Sequence, residues 1–338
     1  MPRPRRTHPP KEPAHATGSA RGNRSPSLTA LLPRLTERDL WLLHMLLEHT
    51  VLTTPQITAL AYTGQRSTNR RLTALRELGL IDAFHPHRAT GSHPAHHVLG
   101  PRGAALLAAR YATTPTALGW SPELATRTSY SPFLAHNRGV GDFFTRLAAH
   151  TRTHPGDGAL TLWWSEKRCE HQWGDLARPD AYGHWQGPDG QSVAFFLEYD
   201  TGSYAATRVA AKLDDYAEAA HATRARPLVL FTVHSQRREQ SLRERLAAHP
   251  ALGQVAVATT ARDLVSTPGG DHDPARPAWL PIAAPCGRVR LHELPTAWPT
   301  SHRPDPAPPP DQDTRARGLP GADRDPLYVP APPPLPPA

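Results

Sequence analysis

Apolar residues recur at two different spacings along this chain, and the change of spacing divides it into two blocks. In the first block they fall three and four apart, the period of a helix with one buried face. Leu35-Thr36-Glu37-Arg38-Asp39-Leu40 reads as a helix start, with Thr36 as N-cap, Asp39 as the capping-box acid, and Leu35 and Leu40 placed as a hydrophobic staple. That helix runs to about Glu48, and a second covers Thr54 to Ala61. Thr63-Gly64-Gln65 makes a turn, and a third helix covers Ser67 to Leu78, with Gly79 as the expected terminator. Leu80 to Phe84 and Ala95 to Leu99 then flank a turn-rich stretch around Gly91 and predict a hairpin. Helix, helix, helix, hairpin is the order of a winged helix-turn-helix. Pro101 to Tyr111 and Ser131 to Thr151 continue the helical period, the second with Phe133, Val140, Phe143 and Leu147 facing inward.

In the second block the period changes. Strands are predicted at Ala159 to Trp164, around Asp180, at Val193 to Asp200, Leu228 to Val233 and Val255 to Thr259, with helices at Tyr204 to Ala222 and Arg237 to Ala248. Such alternation points to a small α/β domain with a mixed sheet. The fold class expected is therefore two-domain, α+β or α/β. Its expected parts are a disordered basic arm (1–33), a winged helix-turn-helix (34–112), a helical connector (113–152), an α/β domain (153–298) and a disordered Pro-rich tail (299–338). Both ends are too poor in apolar residues, and too rich in Pro, to bury a core of their own.

Charge sharpens this division. The net +8 is unevenly spread: residues 1–150 carry 18 basic and 8 acidic groups, residues 151–338 carry 20 basic and 22 acidic. A polyanion is thus expected at the front of the molecule. The two cysteines, Cys169 and Cys286, lack any CxxC spacing, which argues against a thiolate metal site or a disulfide scaffold and fits a reducing compartment. No apolar run approaches the length of a membrane span and no export signal opens the chain, so a cytoplasmic location with no membrane partner is expected. There are 35 Arg and only three Lys (Lys11, Lys167, Lys212), which suits a GC-rich genome and makes each lysine informative.

On the third helix Thr68, Leu72, Leu75 and Leu78 gather on one side and face the core. Arg66, Arg70 and Thr73 fall opposite, with Asn69 and Arg76 on the flanks and Arg71 nearer the core edge. A recognition helix lies in the major groove, where Arg and Asn read base edges and other groups hold phosphates. Arg66, Asn69, Arg70, Thr73 and Arg76, joined by Arg88 of the wing, form the expected contact set for double-stranded DNA. The wing histidines His85, His87, His93, His96 and His97 are expected against phosphates, since no helical HxxxH pair or carboxylate accompanies them as in a zinc site.

The strand Val193-Ala194-Phe195-Phe196-Leu197-Glu198-Tyr199-Asp200 is an apolar run ending in two acids. Side chains alternate along a strand, so Glu198 and Asp200 are expected on one face, with Asp180 of Arg178-Pro179-Asp180 as a third carboxylate. Hard oxygen ligands of this kind hold Mg²⁺, which lowers the pKa of an attacking water. Pro179-Asp180 followed by Glu198-x-Asp200 resembles the PD-(D/E)XK nuclease signature, with Asp200 standing where that family has Lys. Lys212, on the next helix, is the lysine in reach. Glu166 is a weaker fourth acid. No phosphate loop, dinucleotide fingerprint or nucleophile elbow occurs.

Taken together, the winged-helix pattern, His136-Asn137-Arg138-Gly139-Val140-Gly141-Asp142-Phe143, Arg178-Pro179-Asp180, Glu198-Tyr199-Asp200-Thr201-Gly202 and Lys212-Leu213-x-x-Tyr216 resemble the replication-relaxation family of actinobacterial plasmids and integrative elements. The resemblance implies a restriction-endonuclease-like domain behind the winged helix and a role in replication or relaxation of mobile DNA. Catalytic and metal-binding positions would be Asp180, Glu198 and Asp200, with Lys212 as the cation and Mg²⁺ as the ion. A relaxase, helicase or translocase of the element, or a second copy of the chain, would be the protein partner. Three states of the second domain stay open: active nuclease, inactive nuclease-like module, and unrelated α/β domain. The alternative for the whole chain is a winged-helix transcriptional regulator whose second domain dimerises or binds a partner.

Overall fold

A computed structural model describes residues 27–86, 93–264, 272–284, 286–306 and 329–337. Residues up to Arg34 form one unit, in which Ser27 caps the short helix α1 (Leu28–Leu31). That helix corrects the expectation of an arm without structure up to residue 33: Ser27 Oγ accepts from the Ala30 N–H and caps the turn. Residues 35–338 form the second, compact unit.

The second unit opens with α2 (Glu37–His49), β1 (Leu52–Thr53), α3 (Thr54–Ala61), α4 (Gln65–Glu77), β2 (Ile81–Phe84), β3 (His96–Leu99) and α5 (Pro101–Arg110). The expected helix, helix, helix, hairpin order is present. The cap of α2 is the one predicted: Thr36 Oγ1 accepts from the Asp39 N–H and Asp39 Oδ2 accepts from the Thr36 N–H at 2.7 Å. A second capping box, Thr53 with Gln56, starts α3. Gly79 has φ +69°, the left-handed backbone that ends α4 at little cost only for glycine. The strands form an antiparallel sheet in the order β1-β3-β2.

The two wing histidines on β3 depart from expectation. His96 and His97 are buried, and the His97 ring sits 2.9 Å from Thr54 Oγ1. The extra strand β1, too short to show a period, covers the edge on which they lie. His87 and Arg88 lie outside the described residues.

The chain continues through α6 (Leu124–Ser129), α7 (Leu134–Thr153), β4 (Ala159–Ser165), α8 (Glu166–Trp173), β5 (Ala181–Gln186), β6 (Ser192–Tyr199), α9 (Ala206–Ala210), α10 (Lys212–Thr223), β7 (Leu228–Val233), α11 (Gln236–Ala247), β8 (Ala256–Ala261), β9 (Leu280–Pro281) and α12 (Leu294–Ala297). Six strands make one mixed sheet in sequence order, β4-β5-β6-β7-β8-β9. The first three run antiparallel, β6, β7 and β8 run parallel, and β9 is antiparallel to β8. The fold is mixed α/β, as the two spacings predict. Among the described residues no helix is long and apolar enough to cross a membrane.

Helices cover both faces of the sheet, which is why β7 and β8 are buried at every position. On one face Val209, Leu213 and Tyr216 of α9 and α10 and Leu242 and Leu246 of α11 pack on Val229, Phe231 and Val257. On the other, Phe144 of α7 stacks on Trp163 at 5.0 Å between ring centres, and Phe143 meets Phe195 and Trp279 edge-on. Each such buried ring contributes roughly 1.5–3 kcal/mol. Phe133, expected to point inward, is 62% exposed because the helix begins one residue later, leaving it outside the α7 stripe.

The front helices are fastened to this sheet. Glu48 of α2 and Arg168 of α8 are both buried and form a two-pronged pair, Arg168 Nε standing 2.9 and 3.0 Å from the two carboxylate oxygens. Burial alone would raise Glu48, but the Arg168 hydrogen bonds and charge hold it below its ordinary value. His49 stacks on Trp163 at 3.7 Å.

The tail after residue 299 is a further correction. Residues 329–337 lie on the fold, although they have no helix or strand. A proline-rich segment needs no core of its own when a neighbour supplies both the apolar surface and the hydrogen-bond donors.

Candidate functional site

On α4 the five residues assigned to DNA, Arg66, Asn69, Arg70, Thr73 and Arg76, are all exposed, while Thr68, Leu72 and Leu75 are buried. Arg66, Arg70 and Arg76 make no ion pair among the described residues. Arg71 behaves differently. Its guanidinium grips the buried Asp39 of α2, with Nε 2.8 Å from Oδ1. Burial would raise Asp39, but the bonds from Arg71 and Thr36 lower it. One arginine of the helix is thus spent on fixing its rotation, and the others face solvent.

Behind lies the carboxylate site, assembled from four elements. Asp180 precedes β5 and keeps ladder register through its own N–H to the Leu197 carbonyl. Its Oδ2 accepts from the Tyr199 N–H at 2.6 Å, and its Oδ1 lies 3.4 Å from His136 Nε2 on α7 and 3.6 Å from Lys212 Nζ. Glu198, one of the buried residues of β6, accepts from the Tyr216 hydroxyl at 2.6 Å through Oε1 and from Lys212 through Oε2. Lys212 opens α10 after a break at Ala211, which splits the single helix expected from 204 to 222 and lets the ammonium lean over the sheet. Asp180, Glu198 and Lys212 are therefore brought together.

Asp200 is not. It stands one residue past the end of β6, where strict alternation no longer governs its side chain. Its Oδ2 accepts from Arg238 Nε of α11 at 2.6 Å and its Oδ1 from the Gly202 N–H at 2.8 Å. Gly202 has φ +85°, so the turn itself draws Asp200 off the strand face.

Burial pushes the Glu198 carboxyl up to about 8, and the neighbouring Asp180 adds to the rise against the pull of Lys212. Burial would raise Asp180 too, but His136, Lys212 and the Tyr199 N–H hold it below its ordinary value. Lys212 is held above its usual value by the two acids, although burial works against its charge. Glu166, at the start of α8, is raised by burial and by Asp180.

The two acids open to different cavities. Glu198 lines one of about 290 Å³ with Lys212, Arg178 and Tyr216, and Asp180 lines another of about 110 Å³ with His136, Glu166 and Lys167. His136 and Tyr216 are the site residues that sequence reasoning passes over. Both belong to the segments quoted for the resemblance, and His136 lies one turn before Gly139, where a Cβ would stand 2.2 Å from the Tyr199 ring. That glycine is what lets α7 come close enough for His136 to reach Asp180.

The family model described as replication-relaxation matches residues 43–232. The chain belongs to the replication-relaxation family. The matched segment includes most of α2, all of α4, and Asp180, Glu198 and Lys212; Arg238 and residues 329–337 lie beyond it. No curated protein and no solved structure matches the chain significantly. Membership of this family points to a role in replication or relaxation of plasmid or mobile DNA.

Proposed function

We propose that this replication-relaxation protein binds double-stranded DNA with α4 as the recognition helix of a winged helix-turn-helix and presents a nuclease-like α/β core behind it. The observation that carries this reading is the division of labour on α4. Arg71 is neutralised by Asp39, whereas Arg66, Arg70 and Arg76, with Asn69 and Thr73 among them, stay exposed. Duplex DNA, with one negative charge per about 1.7 Å of axis, supplies what those side chains lack. The arginine-rich, lysine-poor composition fits an actinobacterial mobile element, whose relaxase, helicase or translocase would be the protein partner.

The test is fluorescence anisotropy of the full chain with a duplex oligonucleotide over a range of salt. Binding is expected to weaken steeply as salt rises, with a log–log slope of about −0.9 per phosphate neutralised. Salt-independent binding, or none at low salt, would remove the reading.

For the core, the Mg²⁺ expected at Asp180, Glu198 and Asp200 does not fit the donor set. Mg²⁺ requires near-octahedral oxygen coordination. Here Lys212 already stands between Asp180 and Glu198, and both oxygens of Asp200 are occupied elsewhere. Among the described residues no group of three or more His, Cys, Asp or Glu side chains is placed to hold a metal ion. No hydrolytic step follows from this arrangement. The nuclease-like core is read as a DNA- or protein-contacting module. Calorimetric titration of Mg²⁺ and Mn²⁺ into the full chain is expected to give no saturable heat. A saturable heat lost in Asp180→Ala would reinstate the metal-dependent nuclease.

A further inference from the structure

Residues 329–337 read Val-Pro-Ala-Pro-Pro-Pro-Leu-Pro-Pro, six prolines in nine. Proline fixes φ near −65° and lacks an N–H, so such a segment favours the polyproline II conformation, whose carbonyls must find donors outside the segment. Two side chains supply them, one from each half of the unit. Arg168 Nη2 of α8 donates to the Val329 carbonyl at 2.9 Å, and Trp41 Nε1 of α2 donates to the Pro333 carbonyl at 2.7 Å.

Burial along the segment is uneven in a way that suits a groove. Pro332 and Pro334 are buried, Pro330 and Pro333 exposed. Ala331 packs against the aromatic cluster of Trp164, Trp173 and Tyr182. Beside the segment a cavity of about 380 Å³ continues, walled by Val329, Pro330 and Pro332 on one side and by His44, Leu47 and Leu118 on the other. Aromatic walls and an indole N–H aimed at a proline carbonyl are the chemistry by which proline-rich peptides are recognised.

The attachment also has the character of a ligand rather than of core. Among the described residues no backbone–backbone hydrogen bond joins 329–337 to the rest of the chain. The segment is reached only through residues 307–328, and it lies outside the stretch that matches the family.

We propose that the groove between α2 and α8 is a binding site for proline-rich peptides, filled in cis by the chain's own segment 329–337, which a proline-rich segment of a partner protein must displace. The same Arg168 that holds Val329 also holds Glu48, so occupancy of the groove is read at the junction between the front helices and the sheet.

The test keeps the fold intact by cutting after folding. A recognition sequence for a site-specific protease is placed within 307–328 of the full chain, the protein is cleaved, and the released tail is removed by dilution and gel filtration. A fluorescein-labelled peptide of sequence 329–338 is then titrated into cut and uncut protein, with thermal melts confirming that both are folded. The cut chain is expected to take up the peptide at least tenfold more tightly than the uncut chain. Trp41→Phe, which keeps the ring but removes the indole donor, is expected to weaken uptake by the cut chain several-fold. A peptide carrying Asp at positions 332 and 334 is expected not to bind. Equal uptake by cut and uncut protein, no uptake by the emptied groove, or a tail that never leaves after cleavage would each overturn the proposal.

Discussion

The arginines of α4 and the lysine of α10 are both cations on helices, yet their surroundings are opposite. Arg66, Arg70 and Arg76 are exposed and make no ion pair among the described residues, whereas Lys212 is enclosed by Glu198 and Asp180 and answered by both. A cation left unanswered on a rigid helix is available to an external polyanion. A cation matched by buried acids is part of the structure's internal accounting, and neither it nor the acids are free for a newcomer. The contrast explains why the front of the chain supports a binding reading while the carboxylate cluster, for all its resemblance to a nuclease signature, supports no metal step.

The contrast is broken most strongly by removing the open cations. Arg66→Ala, Arg70→Ala and Arg76→Ala together are expected to lower duplex affinity by about 100-fold or more at moderate salt. The melting temperature should change little, because among the described residues these exposed side chains make no hydrogen bond or ion pair. A matched loss from the Arg71→Ala variant alone, with falling thermal stability, would show instead that the helix's posture matters and not its charge.

The matching change at the enclosed cation should do the reverse. Lys212→Met leaves two buried acids without their counter-charge and is expected to cost about 1–3 kcal/mol of stability, read as a lower denaturant midpoint. Its cost is limited because the Lys212 side chain is 41% exposed, so water screens part of the pair. DNA affinity should be unaffected.

Acid pH tests the buried interior of the fold, where three histidines are held neutral. Burial lowers His49, His97 and His272 to about 4 each. The unfolded chain takes up these protons near pH 6.5, the folded chain only near 4. Stability that is full above pH 6.5 is therefore lost as pH falls toward 4, on the order of 3 kcal/mol for each of the three histidines. Thermal melts across that range should show it, and melting temperatures flat between pH 6.5 and 4.5 would refute it. The smallest effect is expected from Arg238→Gln. It releases Asp200 from its partner but leaves the Gly202 turn, and should cost about 1 kcal/mol.

Much of this was legible in the chain, and the exceptions have physical causes. Caps such as Thr36 with Asp39 and terminators such as Gly79 act within four residues, so their signals survive in sequence. The face of α4 follows from its period alone. What period cannot report is the commitment of a side chain to a distant partner. Asp200 belongs with Glu198 by alternation, but Arg238, 38 residues later, claims it. His96 and His97 look like wing residues until β1 covers them. Nor does a proline-rich composition announce that Trp41 waits for it, 292 residues away in the chain.

The buried pair between Glu48 and Arg168 has a mechanical meaning. With α2 pinned to α8, the front helices are not a reading head on a flexible neck but a bracket welded to its frame. On the proposed reading, a duplex seated on α4 would leave the protein at one fixed bearing relative to the sheet. Whatever next meets that DNA would find its path already surveyed.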